Sequence, residues 1–143
     1  MNQEELAKNF EIDEAKELAN LEKYTSFYFL MDFWMKLIDQ KKRISAFFEE
    51  RDYKKIAIYG NAAIGKHLKS QLENEGTKVE FMLNRNKIFI ENQELDLENN
   101  IKMLDRVDVI VVTPIMQYKD IKKKLREFTK TNIVSIEEVI LSL

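Results

Sequence analysis

The sequence predicts an α/β protein, in which a parallel sheet carries helices on both faces and a helical segment precedes it. Two observations lead to this prediction. All three glycines lie between positions 60 and 76 and the single proline is at position 114, so the first part of the chain contains neither strong helix breaker. From position 54 onward, short apolar runs alternate with stretches whose apolar residues recur every three or four positions. Such alternating strands and helices are joined by right-handed crossovers, which produce a parallel, doubly wound sheet.

Composition excludes several classes of function. The 143 residues suffice for one domain with an appendage, and 45% apolar residues can form a hydrophobic core. A formal net charge of −2 argues against nucleic acid as a partner, since nucleic-acid-binding domains are usually basic. The chain has no cysteine, so disulfides and thiolate metal sites are excluded, and we expect no metal site.

Neither a membrane span nor a signal peptide is expected. The most apolar segment, Phe27 to Ile38, is shorter than the roughly 20 residues that cross a bilayer, and it carries Asp32 and Lys36. Glu4 and Glu5 near the N-terminus are unlike the basic start of a signal peptide. We therefore expect a cytoplasmic protein.

Residues 1–53 are predicted to form a helical extension. Periodicity indicates one helix near 12–22, a second that Thr25 or Ser26 caps, and a third over about 42–50. The second helix carries two adjacent apolar stripes, wider together than the roughly 100° that one flat surface covers. We expect this extension to form a homodimer or to dock on a partner protein; alternatively, neighbouring helices of the same chain cover the second stripe. The stripes are Phe27, Leu30, Met31, Trp34 and Ile38, and Phe29, Phe33 and Leu37.

Residues 54–143 are predicted to form the α/β domain, with a sheet of about five strands. Four strands are placed by apolar, β-prone runs, and three helices by stripes of apolar residues between them. Gly76 is expected at a left-handed helix end, and Ser135 with Glu138 is expected to cap a terminal helix. The strands are predicted at 56–59, 79–83, 107–112 and 133–136, and the helices around Ile64, Leu68 and Leu72, around Leu97, Ile101 and Leu104, and around Tyr118, Ile121, Leu125 and Phe128.

The turn after the first strand matches a dinucleotide-binding motif. Gly60 and Gly65 occupy the first and last glycines of G-x-G-x-x-G, and Ala62 stands at the middle one. In that motif the first glycine allows the tight turn, the last lets the helix pack on the sheet, and the helix start binds phosphate. A strand before the turn and a helix after it predict a Rossmann-like domain. The alternative is a tight turn that holds no ligand.

Further ligand contacts are expected where the other strands end. Asn84 ends the second strand 24 positions after Gly60, where dinucleotide-binding domains place a ribose-binding acidic residue. Arg85 follows and suits a 2′-phosphate, which favours NADP over NAD; alternatively, this is only a polar turn. The predicted contacts are Gly60, Asn61, Ala62, Ala63, Ile64, Gly65, Asn84, Arg85, Thr113 and Pro114.

Other readings of the same residues are weaker. A P-loop requires Ser or Thr after its lysine, whereas His67 follows Lys66. Tyr118 and Lys122 have the spacing of a short-chain dehydrogenase acid/base pair, but they come too early in the chain and Tyr118 belongs to an apolar stripe. His67 is expected at the surface, and no catalytic residue is assigned.

Three segments together resemble a known family. They are Ile56 to Gly60, Phe81 to Asn86 and Asp108 to Pro114, each at the end of a predicted strand. The pattern is similar to the small Rossmann-like, CoA-binding-type domains of bacterial polysaccharide biosynthesis proteins. Such domains accompany nucleoside-diphosphate-sugar dehydratases, epimerases and glycosyltransferases of surface glycans. The resemblance covers about residues 54–141.

The resemblance implies a nucleotide near Gly60, Gly65 and Asn84 and implies no catalytic residue. The first hypothesis is therefore a non-catalytic or accessory domain of surface polysaccharide biosynthesis that binds NAD(P) or a nucleotide sugar. Because Ala62 and Asn84 depart from the family pattern, the second hypothesis is a ligand-free interaction module that assembles a glycosyltransferase. The third is an oxidoreductase, such as a nucleotide-sugar dehydrogenase, whose substrate-binding half lies on another chain.

Overall fold

The computed structural model describes residues 2–143. It contains five α-helices and six strands within that range, together with two 3₁₀ segments, Glu98–Arg106 and Ile115–Gln117. The α-helices are α1 Gln3–Asp39, α2 Ser45–Glu50, α3 Ala63–Asn74, α4 Tyr118–Arg126 and α5 Ile136–Leu141, and the strands are β1 Ile56–Tyr59, β2 Val79–Asn84, β3 Lys87–Ile90, β4 Gln93–Asp96, β5 Val109–Val112 and β6 Asn132–Ser135.

The strands form one mixed sheet in the order β4-β3-β2-β1-β5-β6. Strands β1, β2, β5 and β6 are parallel, whereas β3 and β4 pair antiparallel and extend the sheet beyond β2. The predicted α/β class is confirmed. The prediction of an entirely parallel sheet of about five strands is wrong. After β2 the chain adds two antiparallel strands, β3 and β4, at the edge of the sheet before it crosses to β5.

Two-residue turns join β2 to β3 and β3 to β4. The pairings leave Arg85–Asn86 in the first turn and Glu91–Asn92 in the second. Arg85 has a φ of 52° and Glu91 a φ of 53°, in the left-handed region that such tight hairpin turns require. Neither turn contains the glycine that usually marks a two-residue hairpin, and no strand was predicted for residues 87–96.

Helices cover both faces of the sheet. Phe81 and Leu83 of β2 share a core cluster with Ile121 and Leu125 of α4. Met82, between them, points to the opposite face because side chains alternate along a strand. There its Cε would lie 3.3 Å from a Cβ placed on Gly65 of α3. Helices α3 and α4 therefore pack on opposite faces, as predicted.

The chain forms two compact units, one ending at Lys36 and the other spanning Leu37–Leu143. In the first unit, the predicted break at Thr25 or Ser26 does not occur, because α1 runs uninterrupted through both. Residues 2–25 are all exposed, and among residues 2–36 only Leu30 and Trp34 are buried. No helix within the described residues is long and apolar enough to cross a membrane. The functional division after residue 53 stays a prediction.

Within the second unit, local side-chain hydrogen bonds explain two element boundaries. The Ser135 hydroxyl accepts from the Glu138 N–H at 3.1 Å and begins α5, as predicted. The predicted helix over 97–104 is instead a 3₁₀ segment that is interrupted at Asn100, where φ is −125°. The Asn100 side chain donates to the Asp96 carbonyl at 2.7 Å, an alternative to regular helical pairing.

Candidate functional site

The candidate site lies at the carboxyl ends of β1, β2 and β5. From β1 the chain crosses through α3 to β2 on one side, and β5 later pairs with β1 on the other side. The order of the parallel strands therefore reverses between β1 and β5. In open α/β sheets, ligands bind outside the carboxyl ends of the strands at such a reversal.

Two glycines allow the turn between β1 and α3 to pack closely against neighbouring atoms. Gly60 has a φ of 107°, and a side chain there would overlap Thr113 Oγ1 and lie 3.0 Å from Pro114 Cδ. A Cβ on Gly65 would overlap the carbonyl oxygen of Gly60. The two glycines thus have the packing roles that the motif predicts, a tight turn and close contact of helix with strand.

The N-terminus of α3 faces this region with uncapped backbone donors. Ala62 is the N-cap residue, with φ −82° and ψ −165°, and no described side chain caps the helix there. Ala62 and Ala63 are exposed, and the first intrahelical bond runs from the Lys66 N–H to the Ala62 carbonyl at 3.0 Å. Free first-turn N–H groups and the helix dipole favour an anion at this position.

At the end of β2, Asn84 and Arg85 are both exposed. The Arg85 N–H donates to the hydroxyl of Tyr59 at 3.3 Å, which ties this turn to the end of β1. The Gly60 N–H donates to the Leu83 carbonyl at 2.7 Å and continues the same connection. The structure thus brings the predicted glycine turn and the predicted ribose-binding turn together on adjacent strands.

At the end of β5, Thr113 is buried and its hydroxyl is already engaged. It donates to the Tyr59 carbonyl at 2.9 Å, and the Thr113 N–H donates to the same oxygen at 3.0 Å. Thr113 therefore fixes the site, and the half-buried Pro114 is the more accessible of the two predicted residues.

The ten predicted residues thus fall into two groups. Gly60, Gly65 and Thr113 are buried and shape the backbone, while the other seven are exposed or half-buried and can meet a ligand. Tyr59 was missed by the sequence analysis, although it connects all three strand ends. Its position immediately before the glycine turn is visible in the sequence, but its partners depend on which strands flank β1.

The residues of the alternative motifs, Tyr118, Lys122 and His67, do not form a catalytic group. The Tyr118 hydroxyl donates to the Ile133 carbonyl at 3.2 Å, and Lys122 Nζ lies 5.7 Å from the Tyr118 ring centroid. Tyr118 therefore joins α4 to β6. His67 is exposed, as predicted. Within residues 2–143, no three His, Asp or Glu side chains are grouped so that they could hold a metal ion.

Two cavities lie away from the glycine turn. One, of about 370 Å³, is lined by Ser45, Thr77 and Lys78, among others, near the amino ends of β1 and β2. The second, of about 280 Å³, lies between α3 and the β2–β3 hairpin. The candidate site instead presents the exposed start of α3, so a ligand there would rest on an open surface.

No family model matches the chain, and no curated protein or solved structure matches it significantly. The resemblance to polysaccharide biosynthesis domains therefore stays a prediction.

Proposed function

We propose that the protein is a Rossmann-like domain that binds a nucleotide, NAD(P) or a nucleotide sugar, through the turn between β1 and α3. The observation that carries this proposal is the uncapped start of α3, which lies at the reversal of strand order and is held there by Gly60 and Gly65. Phosphate groups are the anions that this arrangement suits, because several N–H groups and the helix dipole act on one point.

The neighbouring strand ends support a nucleotide over a simple anion. Asn84 offers an amide to the ribose hydroxyls, and Arg85 offers a guanidinium to a further phosphate. With no catalytic group assigned in the site, binding alone is proposed. On the family resemblance, we place this binding in surface polysaccharide biosynthesis, in an accessory role.

Two substitutions at Ala62 test the site without disturbing its packing. Aspartate and asparagine both cap helices well in the extended conformation that Ala62 adopts, so each should preserve or raise stability. Only Ala62→Asp adds a negative charge where the phosphate would lie. By titration calorimetry with NAD, NADP and a uridine diphosphate sugar, we expect Ala62→Asp to weaken binding at least about tenfold.

Ala62→Asn is the matched control, because its side chain caps the same N–H groups without adding a charge. The effect of the charge is the difference between the two variants, and we expect Ala62→Asp to bind at least about tenfold more weakly than Ala62→Asn. Equal binding by both variants would place the phosphate elsewhere. If none of the three ligands binds the unsubstituted protein at millimolar concentration, the proposal fails.

A second candidate function is an interaction module that assembles a glycosyltransferase. The exposed apolar side chains of α1 favour it, because large apolar surfaces usually mark interfaces. Among them are Phe10, Leu21, Tyr24, Tyr28 and Phe29, each more than 60% exposed. Copurification of a glycosyltransferase through α1, with no nucleotide bound, would favour this function over the first.

A further inference from the structure

Helix α1 carries a stripe of largely exposed apolar residues at a seven-residue repeat, unbroken from Leu21 to Met35. Leu21, Tyr24, Tyr28, Met31 and Met35 are separated by alternating steps of three and four, and Phe10 precedes Tyr24 by two such repeats. We call these six residues the α1 seam. Five of them are 60–67% exposed and Met31 is half-buried. A repeat averaging 3.5 residues is the pattern by which one helix packs along another.

We propose that the α1 seam pairs with the same seam of a second copy of this chain, with the two helices antiparallel. A second copy fits because it presents the same repeat over the same length of helix. In the antiparallel register, Leu21 faces Tyr24 of the other copy and Phe10 faces Met35. The other two seam residues, Tyr28 and Met31, then face Glu17 and Glu14 of the other copy.

The position of acidic residues selects the antiparallel orientation. Glu14 and Glu17 occupy the seam positions between Phe10 and Leu21. In a parallel pair, each would face its own copy at the centre of the interface, and burying two like charges is costly. In the antiparallel register, Glu17 instead meets Tyr28, whose hydroxyl can donate a hydrogen bond to it, and Glu14 meets Met31, so that no carboxylate faces another.

The exposed area is in the range that a stable dimer needs. A buried aromatic side chain contributes roughly 150–250 Å², so the exposed two thirds of each seam tyrosine offers about 130 Å². The three aromatic side chains of the seam, Phe10, Tyr24 and Tyr28, offer about 400 Å² per helix, before Leu21, Met35 and flanking residues are added. A standard interface buries about 800 Å² per partner.

The test uses two adjacent positions that are equally exposed. Tyr28 lies in the seam and is 66% exposed, whereas Phe29 is 64% exposed and lies outside it. Their rings contact each other with centroids 5.6 Å apart, so either substitution removes that contact. By sedimentation equilibrium at about 100 μM, a concentration at which a modest dimer is populated, we expect twice the 17.1 kDa chain mass for the original protein.

Tyr28→Asp should weaken the dimer at least about tenfold, and Phe29→Asp should change it less than about threefold. If the original protein is monomeric, the proposal is wrong, even if a different protein binds the seam. Equal effects of the two substitutions also overturn it, because the seam would then not be the contact. Circular dichroism confirms that each variant keeps its fold.

Orientation is tested by cysteine pairs, since the chain has no cysteine of its own. A mixture of Phe10→Cys and Met35→Cys chains should form a disulfide between the two variants, and neither variant should do so alone. In the antiparallel register, position 10 and its own copy are about 37 Å apart along the helix. Disulfides within each variant alone would show a parallel pair and overturn the antiparallel assignment.

Discussion

At the scale of single residues, two residues have the same unusual backbone conformation, a positive φ, but lie in different turns. Arg85 and Glu91 both begin two-residue hairpin turns with φ near 50°. This conformation costs a residue with a side chain roughly 1–2 kcal/mol, and glycine avoids that cost. Arg85 lies at the candidate site, while Glu91 lies in the next turn, level with the amino end of β2. Comparing them separates backbone strain from ligand contact.

We predict that Arg85→Gly and Glu91→Gly each stabilise the fold by about 0.5–1 kcal/mol, less than the strain because glycine also favours the unfolded chain. Only Arg85→Gly should remove a preference for NADP over NAD, expected at roughly tenfold from one guanidinium–phosphate contact. Thermal unfolding and calorimetry with both dinucleotides measure the two effects. Tighter binding of NAD, unaffected by Arg85→Gly, would show that Arg85 does not contact a phosphate.

At the scale of elements, the short helix α2 depends on a carboxylate from the far end of α3. Glu75 accepts from the Ser45 N–H at 2.8 Å, from the Ile44 N–H at 3.3 Å and from Gln71 Nε2 at 3.0 Å. Phe47 and Phe48 of α2 are fully buried. The contact spans 30 residues, so no local pattern in the sequence indicates it.

We predict that Glu75→Ala destabilises the protein by about 1–3 kcal/mol, because two backbone donors at the start of α2 lose their partner. Glu73→Ala is the control, since Glu73 forms an exposed ion pair with Lys69 at 2.8 Å and should cost less than about 0.5 kcal/mol. Urea denaturation measures both. A loss no larger for Glu75→Ala than for Glu73→Ala would show that α2 is held by its apolar residues alone.

The sequence predicted those elements whose defining residues lie next to one another in the chain. β1, α3 and the glycine turn were predicted because strand, glycines and apolar stripe are contiguous. β3 and β4 were not, because their turns use Arg85 and Glu91 where a hairpin would ordinarily show glycine. Thr25 and Ser26 suggested a helix start, but nothing there stops a helix that already passes through them. The role of Tyr59 depended on the order of the strands.

At the scale of the whole molecule, the two units suggest separate tasks. The unit from Leu37 to Leu143 contains the proposed nucleotide site, and the unit ending at Lys36 contains the α1 seam.

The central claim, a nucleotide on the start of α3, is tested most directly by mapping backbone amide shifts during titration with NADP. The largest shifts are expected at Asn61 to Gly65 and at Asn84 and Arg85, because the backbone groups of these two turns would meet the phosphates and the ribose. The turn at Thr77 and Lys78, at the other end of the parallel strands, should stay unchanged. No shift at millimolar NADP, or shifts centred on Thr77 and Lys78, would contradict the claim.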